Sequence, residues 1–234
     1  APSGDKKVAE GEQLRENGGL GSISEQIVDL RADVTLGGGR KYFDAEVVKG
    51  GKWGEDGNTW TAGKSVLENA KDNGYQVVTN ASELDAIAEA NADKPVLGLF
   101  EGSHMKYEAD RTGEPSLAEM TEAAIKSLSQ NEQGFYLNIE GGRVDHANHD
   151  GNVKRALVDG KAFQDAIAKA AELTNPEDTL IIVTADHEHA IAFNGYCGRG
   201  TPIEGLCYKV NEAGVKHLDE LETAADGKPY SVVG

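Results

Sequence analysis

The succession of apolar segments between residues 135 and 184 is the feature that most constrains the fold. Residues 135–139 (FYLNI) are a short apolar run, and residues 179–184 (TLIIVT) are a continuous β-branched run, typical of strands buried on both faces. Between them, apolar residues at helical spacing predict one helix that ends before Pro176: Val153, Leu157, Phe163, Ile167 and Ala171. A strand, a helix and a strand at crossover length predict a right-handed βαβ unit, so we expect an α/β fold with a parallel sheet.

Shorter elements are predicted before this unit. Residues 65–72 and 82–91 have helical character, whereas residues 75–79 (YQVVT) and 95–100 (PVLGLF) are strand candidates, the second of them buried. Ser116 and Glu119 form a capping-box pattern, in which each side chain accepts a hydrogen bond from a free backbone N–H at a helix start. We therefore expect a further helix that begins at Leu117.

The charge balance excludes several classes of function. The 234 residues include 23 Lys and Arg against 40 Asp and Glu, a formal net charge of −17. Nucleic acids and anionic membrane surfaces are recognised by clustered Lys and Arg, so neither is expected as a partner. No apolar run approaches the ~20 residues needed to span a bilayer. The acidity fits either surface hydration or a group of carboxylates that holds metal ions, and composition does not separate the two.

The two cysteines, Cys197 and Cys207, lie in one stretch that is rich in Gly and Pro. A disulfide that closes this short loop is the preferred interpretation, and it would place the chain in an oxidising compartment. Two free thiols are the alternative that the sequence leaves open.

Two polar stretches follow the predicted strands directly. Residues 140–149 (EGGRVDHANH) come after the first strand, and residues 186–189 (DHEH) come shortly after the second. Together they contain four of the six histidines: His146, His149, His187 and His189. Because ligands bind beyond the carboxyl ends of strands in open α/β sheets, we expect both stretches at one edge of the sheet.

The residue types in these stretches suit metal ions. Asp145 and His149 are four residues apart and would share one face of a helical turn, while Asp186 and His187 are adjacent. Carboxylate and imidazole ligands suit zinc, and an extra carboxylate such as Glu140 suits the harder Mg2+. Taken singly, each would more often be a hydrogen-bonded loop or a solvated charge. Their joint occurrence favours a metal site.

The same stretches resemble the alkaline phosphatase family. The resemblance rests on residues 140–149 (EGGRVDHANH) and 183–189 (VTADHEH), and it is supported, in the same order along the chain, by residues 33–42, 98–101, 105–108 and 115–123. It runs from about Asp33 to about Gly205 and is closer to the animal-like and marine bacterial branch than to the enteric one. The resemblance implies a doubly wound, mostly parallel sheet between helices.

The resemblance also implies a function. Members of this family hydrolyse phosphate monoesters and release inorganic phosphate, using two Zn2+ ions, one Mg2+ ion and a serine nucleophile. By this resemblance Asp145 and His149 ligate the first zinc, Asp186 and His187 the second, and Glu140 the magnesium. A homodimer in the periplasm or outside the cell is expected.

Further positions carry implied roles of other kinds. His189 would orient a ligating carboxylate, and His146 would lie on the phosphate side of the site. Phe100, Glu101 and Glu114 resemble positions that hold an additional Ca2+ in animal-like members. The two glutamates would otherwise be surface charges.

The resemblance implies one domain of this family, of which the chain carries a part. Residues 1–32 are expected as a polar entry segment, 33–192 as part of the α/β core, and 193–234 as the start of a surface insert. The Asp-Ser-Ala nucleophile segment, an early bridging aspartate, the phosphate-clamping arginine and the last zinc histidine find no counterpart. His104 and His217 lack the surrounding motif.

We therefore expect the remainder of an enzyme to supply the missing groups, and the 234 residues alone to be inert. The interpretations kept open are a portion of a longer enzyme, a subunit that completes a site with another chain, and a decayed metal-binding module. An alternative from another class is a non-catalytic acidic protein that binds divalent ions and mediates association.

Overall fold

The protein is described here from a computed structural model, which covers residues 19–47, 50–53, 58–90, 94–191, 197–202, 205–213 and 216–230. The chain divides into two compact units. The first contains the described residues up to Lys106, then Asp110–Ile139 and Asp165–Asn175. The second contains Tyr107–Ala109, Glu140–Gln164 and the described residues from Pro176 onward.

Helices and strands alternate through most of the described chain. The helices are α1 (Ile23–Leu30), α2 (Arg40–Phe43), α3 (Val66–Asp72), α4 (Ala81–Ala90), α5 (Leu117–Leu128), α6 (Arg143–His149) and α7 (Val153–Leu173). The strands are β1 (Val34–Gly37), β2 (Gly51–Trp53), β3 (Asn58–Trp60), β4 (Gln76–Val78), β5 (Val96–Leu99), β6 (Tyr208–Val210) and β7 (Lys216–Leu221). This order of elements confirms the α/β class.

The first unit is built on a parallel sheet of three strands in the order β1-β5-β4. Val96 at the start of β5 is in register with Val34 of β1 and with Gln76 of β4. All four residues of the central strand β5 are buried. The predicted strands at residues 75–79 and 95–100 are therefore confirmed, the second as the buried centre of the sheet.

Helices cover both faces of this sheet. Leu97 belongs to a buried cluster with side chains of α1 and α3, whereas its neighbour Val96 clusters with side chains of α4 and α5. Successive side chains of a strand point to opposite faces, so the two clusters occupy opposite sides of β5. Gly98 lies on the Val96 face, where an added Cβ would come within 2.6 Å of Leu36 and 2.7 Å of Phe100. This glycine allows the close packing of the strand pair.

Three helices begin with the same capping box. Ser116 accepts a hydrogen bond from the backbone N–H of Glu119, whose carboxylate accepts one from the Ser116 N–H, as the sequence predicted. Equivalent boxes begin α1 and α3, at Ser22 with Glu25 and at Ser65 with Glu68. Helix α1 lies within the stretch expected as a polar entry segment, yet its Val28 is fully buried in the core of the first unit.

Helix α7 confirms the long helix predicted before Pro176, but the two strands predicted around it are wrong. Residues 135–139 and 179–184 form no strand. Their side chains are largely in solvent, with Tyr136 89% and Leu180 83% exposed. A strand requires a neighbour that accepts and donates backbone hydrogen bonds. Among the described residues no strand pairs with either segment, so the predicted βαβ unit does not form.

The second unit contains a hairpin joined to a disulfide. Strand β6 pairs antiparallel with β7, and Cys197 and Cys207 are disulfide-bonded with their Cα atoms 5.1 Å apart. Cys207 is fully buried, its N–H donates to the Tyr230 carbonyl, and its own carbonyl accepts from the Glu222 N–H. The preferred disulfide interpretation is confirmed.

Removing this disulfide is expected to loosen the hairpin. The bond closes a loop with a sequence separation of 10. For such a loop, chain entropy predicts a loss of about 3 kcal/mol in the free energy of hairpin opening when both cysteines are replaced by serine. Hydrogen exchange at the Cys207 and Glu222 amides measures that opening. Reducing the native protein should reproduce the effect, and unchanged protection in the variant would contradict it.

Within the part of the chain that the structure describes, no helix has both the length and the apolar character needed to cross a bilayer.

Candidate metal centre

Helix α6 positions the first two candidate ligands. Gly141 and Gly142 lead into it, and an added Cβ on Gly141 would come within 3.0 Å of the Phe163 ring, so any larger residue here would require that ring to shift. Asp145 and His149 then lie one turn apart, with Asp145 Oδ2 3.5 Å from His149 Nε2. The predicted placement of these two residues on one helix face is confirmed.

The second histidine stretch meets this helix. His189 Nε2 lies 3.5 Å and His187 Nε2 3.9 Å from Asp145 Oδ1. The His149 and His189 rings pack edge to face with centroids 4.6 Å apart. One ligand atom each of Asp145, His149 and His189 lies within 4.8 Å of the other two. The predicted meeting of the two polar stretches is found, although the strands expected to bring them together are not formed.

Asp145 provides a direct test of whether this group suits a cation. Its Oδ1 is buried and accepts no hydrogen bond among the described residues. A buried carboxylate oxygen that accepts no hydrogen bond carries a desolvation cost, which a cation would offset. Two imidazole nitrogens face the same oxygen. Nitrogen and carboxylate ligands in this arrangement match the preferences of zinc.

His187 is held by its other ring nitrogen. Its Nδ1 lies 3.0 Å from the Glu188 carbonyl, which fixes the ring orientation. This hydrogen bond, and after it the charge of Asp186, raise the pKa of His187. When Nδ1 donates to the carbonyl, Nε2 of the neutral ring carries the lone pair that can bind a metal ion. This nitrogen faces Asp145.

Four residues predicted for this centre stand outside the group of three ligand atoms: Asp186, His187, Glu140 and His146. The side chain of Asp186 is 87% exposed, and its Oδ2 lies 3.4 Å from His187 Nε2. Glu140 is exposed, with its carboxylate beside Gly142. His146 Nδ1 lies 3.3 Å from the Arg143 guanidinium. The group thus adds His189, which was predicted to orient a carboxylate, to Asp145 and His149, and it contains neither Asp186 nor His187.

The carboxylates predicted for calcium lie in the first unit. Phe100 is buried, and Glu114 is buried with Oε2 accepting from the Lys106 N–H at 2.9 Å. The Lys106 ammonium lies 3.5 Å from Glu114 Oε1 and 3.8 Å from Glu101 Oε2. The Gly102 N–H lowers the pKa of Glu101 by donating to it. No motif in the sequence marks Lys106, whose ammonium contacts both carboxylates as a cation of the chain itself.

Sequence analysis assigned no role to Tyr107. It lies in the second unit, where its hydroxyl donates to Asp150 Oδ2 at 2.6 Å. The sequence marks this tyrosine only weakly. Residues 105–108 support the resemblance to the family, but no spacing pattern relates Tyr107 to another residue.

The fold and the cluster define an α/β protein with a histidine and carboxylate centre suited to divalent metal. Comparison with known proteins identifies the family: the alkaline phosphatase family model matches residues 4–228. The chain belongs to the alkaline phosphatase family.

Individual relatives are similar at moderate identity. The chain is 38% identical over 229 residues to the tissue-nonspecific alkaline phosphatase of Gallus gallus, a match that covers 93% of the chain and 44% of that protein. It is 38% identical over 213 residues to the alkaline phosphatase of Escherichia coli strain K12, covering 81% of the chain and 43% of that protein. The cold-active alkaline phosphatase of Shewanella sp. superposes with a TM-score of 0.58 at 29% identity, covering 80% of the chain and 39% of that structure.

Each of these matches covers most of this chain but less than half of the relative. The chain spans less than half the length of the curated relatives it matches. The match to the Gallus gallus enzyme extends over more of the chain than the match to the Escherichia coli enzyme.

Proposed function

We propose that this chain carries the metal-binding part of a phosphomonoester hydrolase, an alkaline phosphatase. The observation that carries the proposal is the buried Oδ1 of Asp145, which accepts no hydrogen bond among the described residues and faces imidazole nitrogens of His187 and His189 in a chain of this family. Its family membership supports the reaction class, and the geometry supports these residues as the ones that would hold the cation.

Each candidate ligand has a separate role at one of two zinc ions. Asp145 and His149 would hold the first Zn2+, and Asp186 and His187 the second. His189, 3.5 Å from Asp145, orients that carboxylate or joins it as a ligand. When bound, two divalent ions supply Lewis acidity, which lowers the pKa of an attacking hydroxyl and stabilises charge on the departing oxygen.

The remaining assignments concern the phosphate side and the harder cations. Glu140 would hold Mg2+, which prefers oxygen ligands and retains several waters, in keeping with the exposure of this side chain. His146 would bind on the phosphate side, where Arg143 keeps its ring in place. For Ca2+ to occupy the site of Glu101 and Glu114, the Lys106 ammonium would have to move away.

The serine nucleophile would come from polypeptide beyond these 234 residues. Unequal coverage of the relatives supports this, as does the sequence, which has no serine between Ser129 and Ser231. Substrates would be phosphate monoesters, and the complete enzyme a homodimer. Residues 33–192 would belong to its core and 193–234 to an insert, within which the described hairpin lies. The disulfide supports a periplasmic or secreted location.

A non-catalytic acidic protein that binds divalent ions is the second candidate. The net charge of −17 and the paired carboxylates of Glu101 and Glu114 favour it. The two candidates differ in the cation that they select. Zinc bound at Asp145 supports the enzyme, whereas calcium bound at Glu101 with no zinc at Asp145 supports the association module.

Zinc binding is expected to depend strongly on Asp145. The change Asp145→Asn keeps the shape of the side chain but removes the charge that faces the histidines. We expect the zinc affinity of the 234-residue chain to fall by more than about 100-fold, because loss of a ligand exceeds the 10–100-fold cost of an outer residue. Competition with a chromophoric zinc chelator measures this.

A matched control is available in the same stretch. Glu188→Gln removes one exposed carboxylate next to His187 and should leave zinc affinity unchanged. If both variants lose the same zinc affinity, the effect comes from net charge alone, and the assignment of Asp145 as a ligand is contradicted.

A further inference from the structure

One buried tyrosine contacts both ends of the helix that carries the candidate zinc ligands. Tyr107 is only 8% exposed and forms a small apolar cluster with Ala147 of α6 and Ala156 of α7. All three residues belong to the second unit. The tyrosine comes from a three-residue segment, Tyr107–Ala109, which enters this unit by itself.

The aromatic ring binds the first residue of α6. The Arg143 guanidinium carbon lies 4.2 Å from the ring centroid, and that of Arg155 of α7 lies 4.5 Å from it. Guanidinium groups within about 6 Å of an aromatic centroid are attracted to its face. Arg143 also approaches His146 Nδ1 at 3.3 Å, so the contact extends to the residue proposed for the phosphate side.

The phenol hydroxyl binds the other end of the same helix. It donates a 2.6 Å hydrogen bond to Asp150 Oδ2, and Asp150 is the C-cap of α6. The Asp150 N–H closes the last turn of the helix on the His146 carbonyl. This carboxylate bond is the main cause of the raised pKa of Tyr107, which therefore keeps its proton and acts as a donor.

The tyrosine segment is itself fixed to α7. The N–H of Glu108 donates to both carboxylate oxygens of Asp159, at 3.1 and 3.3 Å. Asp159 is buried, and its burial raises the pKa of its carboxyl. Tyr107 thus stands on an anchored backbone and is able to hold α6 rather than move with it.

We infer that Tyr107 is a positioning residue, which sets the orientation of α6 and through it the zinc ligands Asp145 and His149. A helix of seven residues is too short to be stable by itself, so contacts at its ends determine its position. The inference rests on the proposed zinc site. It adds a residue that touches no ligand atom but is expected to change the affinity of the site.

Tyr107→Phe tests this, because it removes the hydroxyl and keeps the ring between the arginines. We expect zinc affinity to fall about tenfold, as for other outer residues that orient ligands. The visible absorption spectrum of the Co2+-substituted chain should change as the ligand geometry relaxes. Asp150→Ala should have the same effect. The double variant should bind zinc no more weakly than either single variant, because both changes remove the same hydrogen bond between Tyr107 and Asp150.

The controls separate positioning from simple stabilisation. Tyr136→Phe removes an exposed phenol of the first unit and should change neither affinity nor spectrum. If Tyr107→Phe lowers the free energy of unfolding of the metal-free chain but leaves zinc affinity and the Co2+ spectrum unchanged, the positioning role is overturned and the zinc site stands. If the unsubstituted chain binds no zinc, the proposed function fails, and this inference fails with it.

Discussion

The 234-residue chain alone, loaded with zinc and magnesium, is expected to release no phosphate from a generic aryl phosphate. Its sequence has no serine between Ser129 and Ser231, so the stretch that forms the metal cluster carries no serine nucleophile. Removal of a nucleophile from a catalytic unit costs several orders of magnitude in rate. We expect turnover at least about 10⁴-fold below that of the complete enzyme. Release of the aryl alcohol, followed by absorbance, measures it.

The comparison requires protein of verified mass and measured metal content. The same preparation joined to the rest of the enzyme should turn over, which shows that the metal site was intact. Rapid turnover by the 234 residues alone would mean that a group within them serves as nucleophile, and the account of the missing serine would be wrong.

Asp186→Ala in the complete enzyme is expected to remove the second zinc and most of the activity. Loss of one metal's Lewis acidity costs several kcal/mol of transition-state stabilisation, and about 4 kcal/mol corresponds to roughly a 10³-fold fall in kcat/KM. Elemental analysis should show zinc falling from two ions to one per active site. The side chain is 87% exposed without metal, so the variant should fold normally.

Asp178→Ala is the matched control for this change. Asp178 lies eight residues before Asp186 in the chain, and its carboxylate accepts a hydrogen bond from the Thr179 hydroxyl at 3.0 Å. Its removal should leave zinc content and kcat/KM unchanged. Near-normal activity of Asp186→Ala would show that the second zinc is held elsewhere, with His189 of the observed cluster as the first residue to test next.

The approach of His189 to Asp145 and His149 shows where local spacing stops being informative. The spacing of Asp145 and His149 predicted a shared helix face, and the structure has it, because the helical repeat fixes that distance. No repeat relates Asp145 to residues 186–189. Which of these side chains approaches it depends on how the loop runs after residue 184, and the structure brings His189 and His187 close.

The two predicted strands that do not form show the same limit for prediction of the fold. Residues 179–184 (TLIIVT) are apolar and richer in β-branched side chains than β5 (VLGL), which is a buried central strand. Apolar composition reports that a segment can be buried, whereas strand formation requires a hydrogen-bonded neighbour. Strand β5 has β1 and β4 beside it, and residues 179–184 have no paired strand among the described residues.

The sequence by itself determined the capping box at Ser116, the long helix before Pro176 and the closeness of Asp145 to His149. Each depends on hydrogen bonds or spacings within a few residues or within one helix. Only the tertiary structure decided that Lys106 stands between Glu101 and Glu114, and that Tyr107 bridges the ends of α6. Those contacts form between side chains brought together by packing, which no local pattern records.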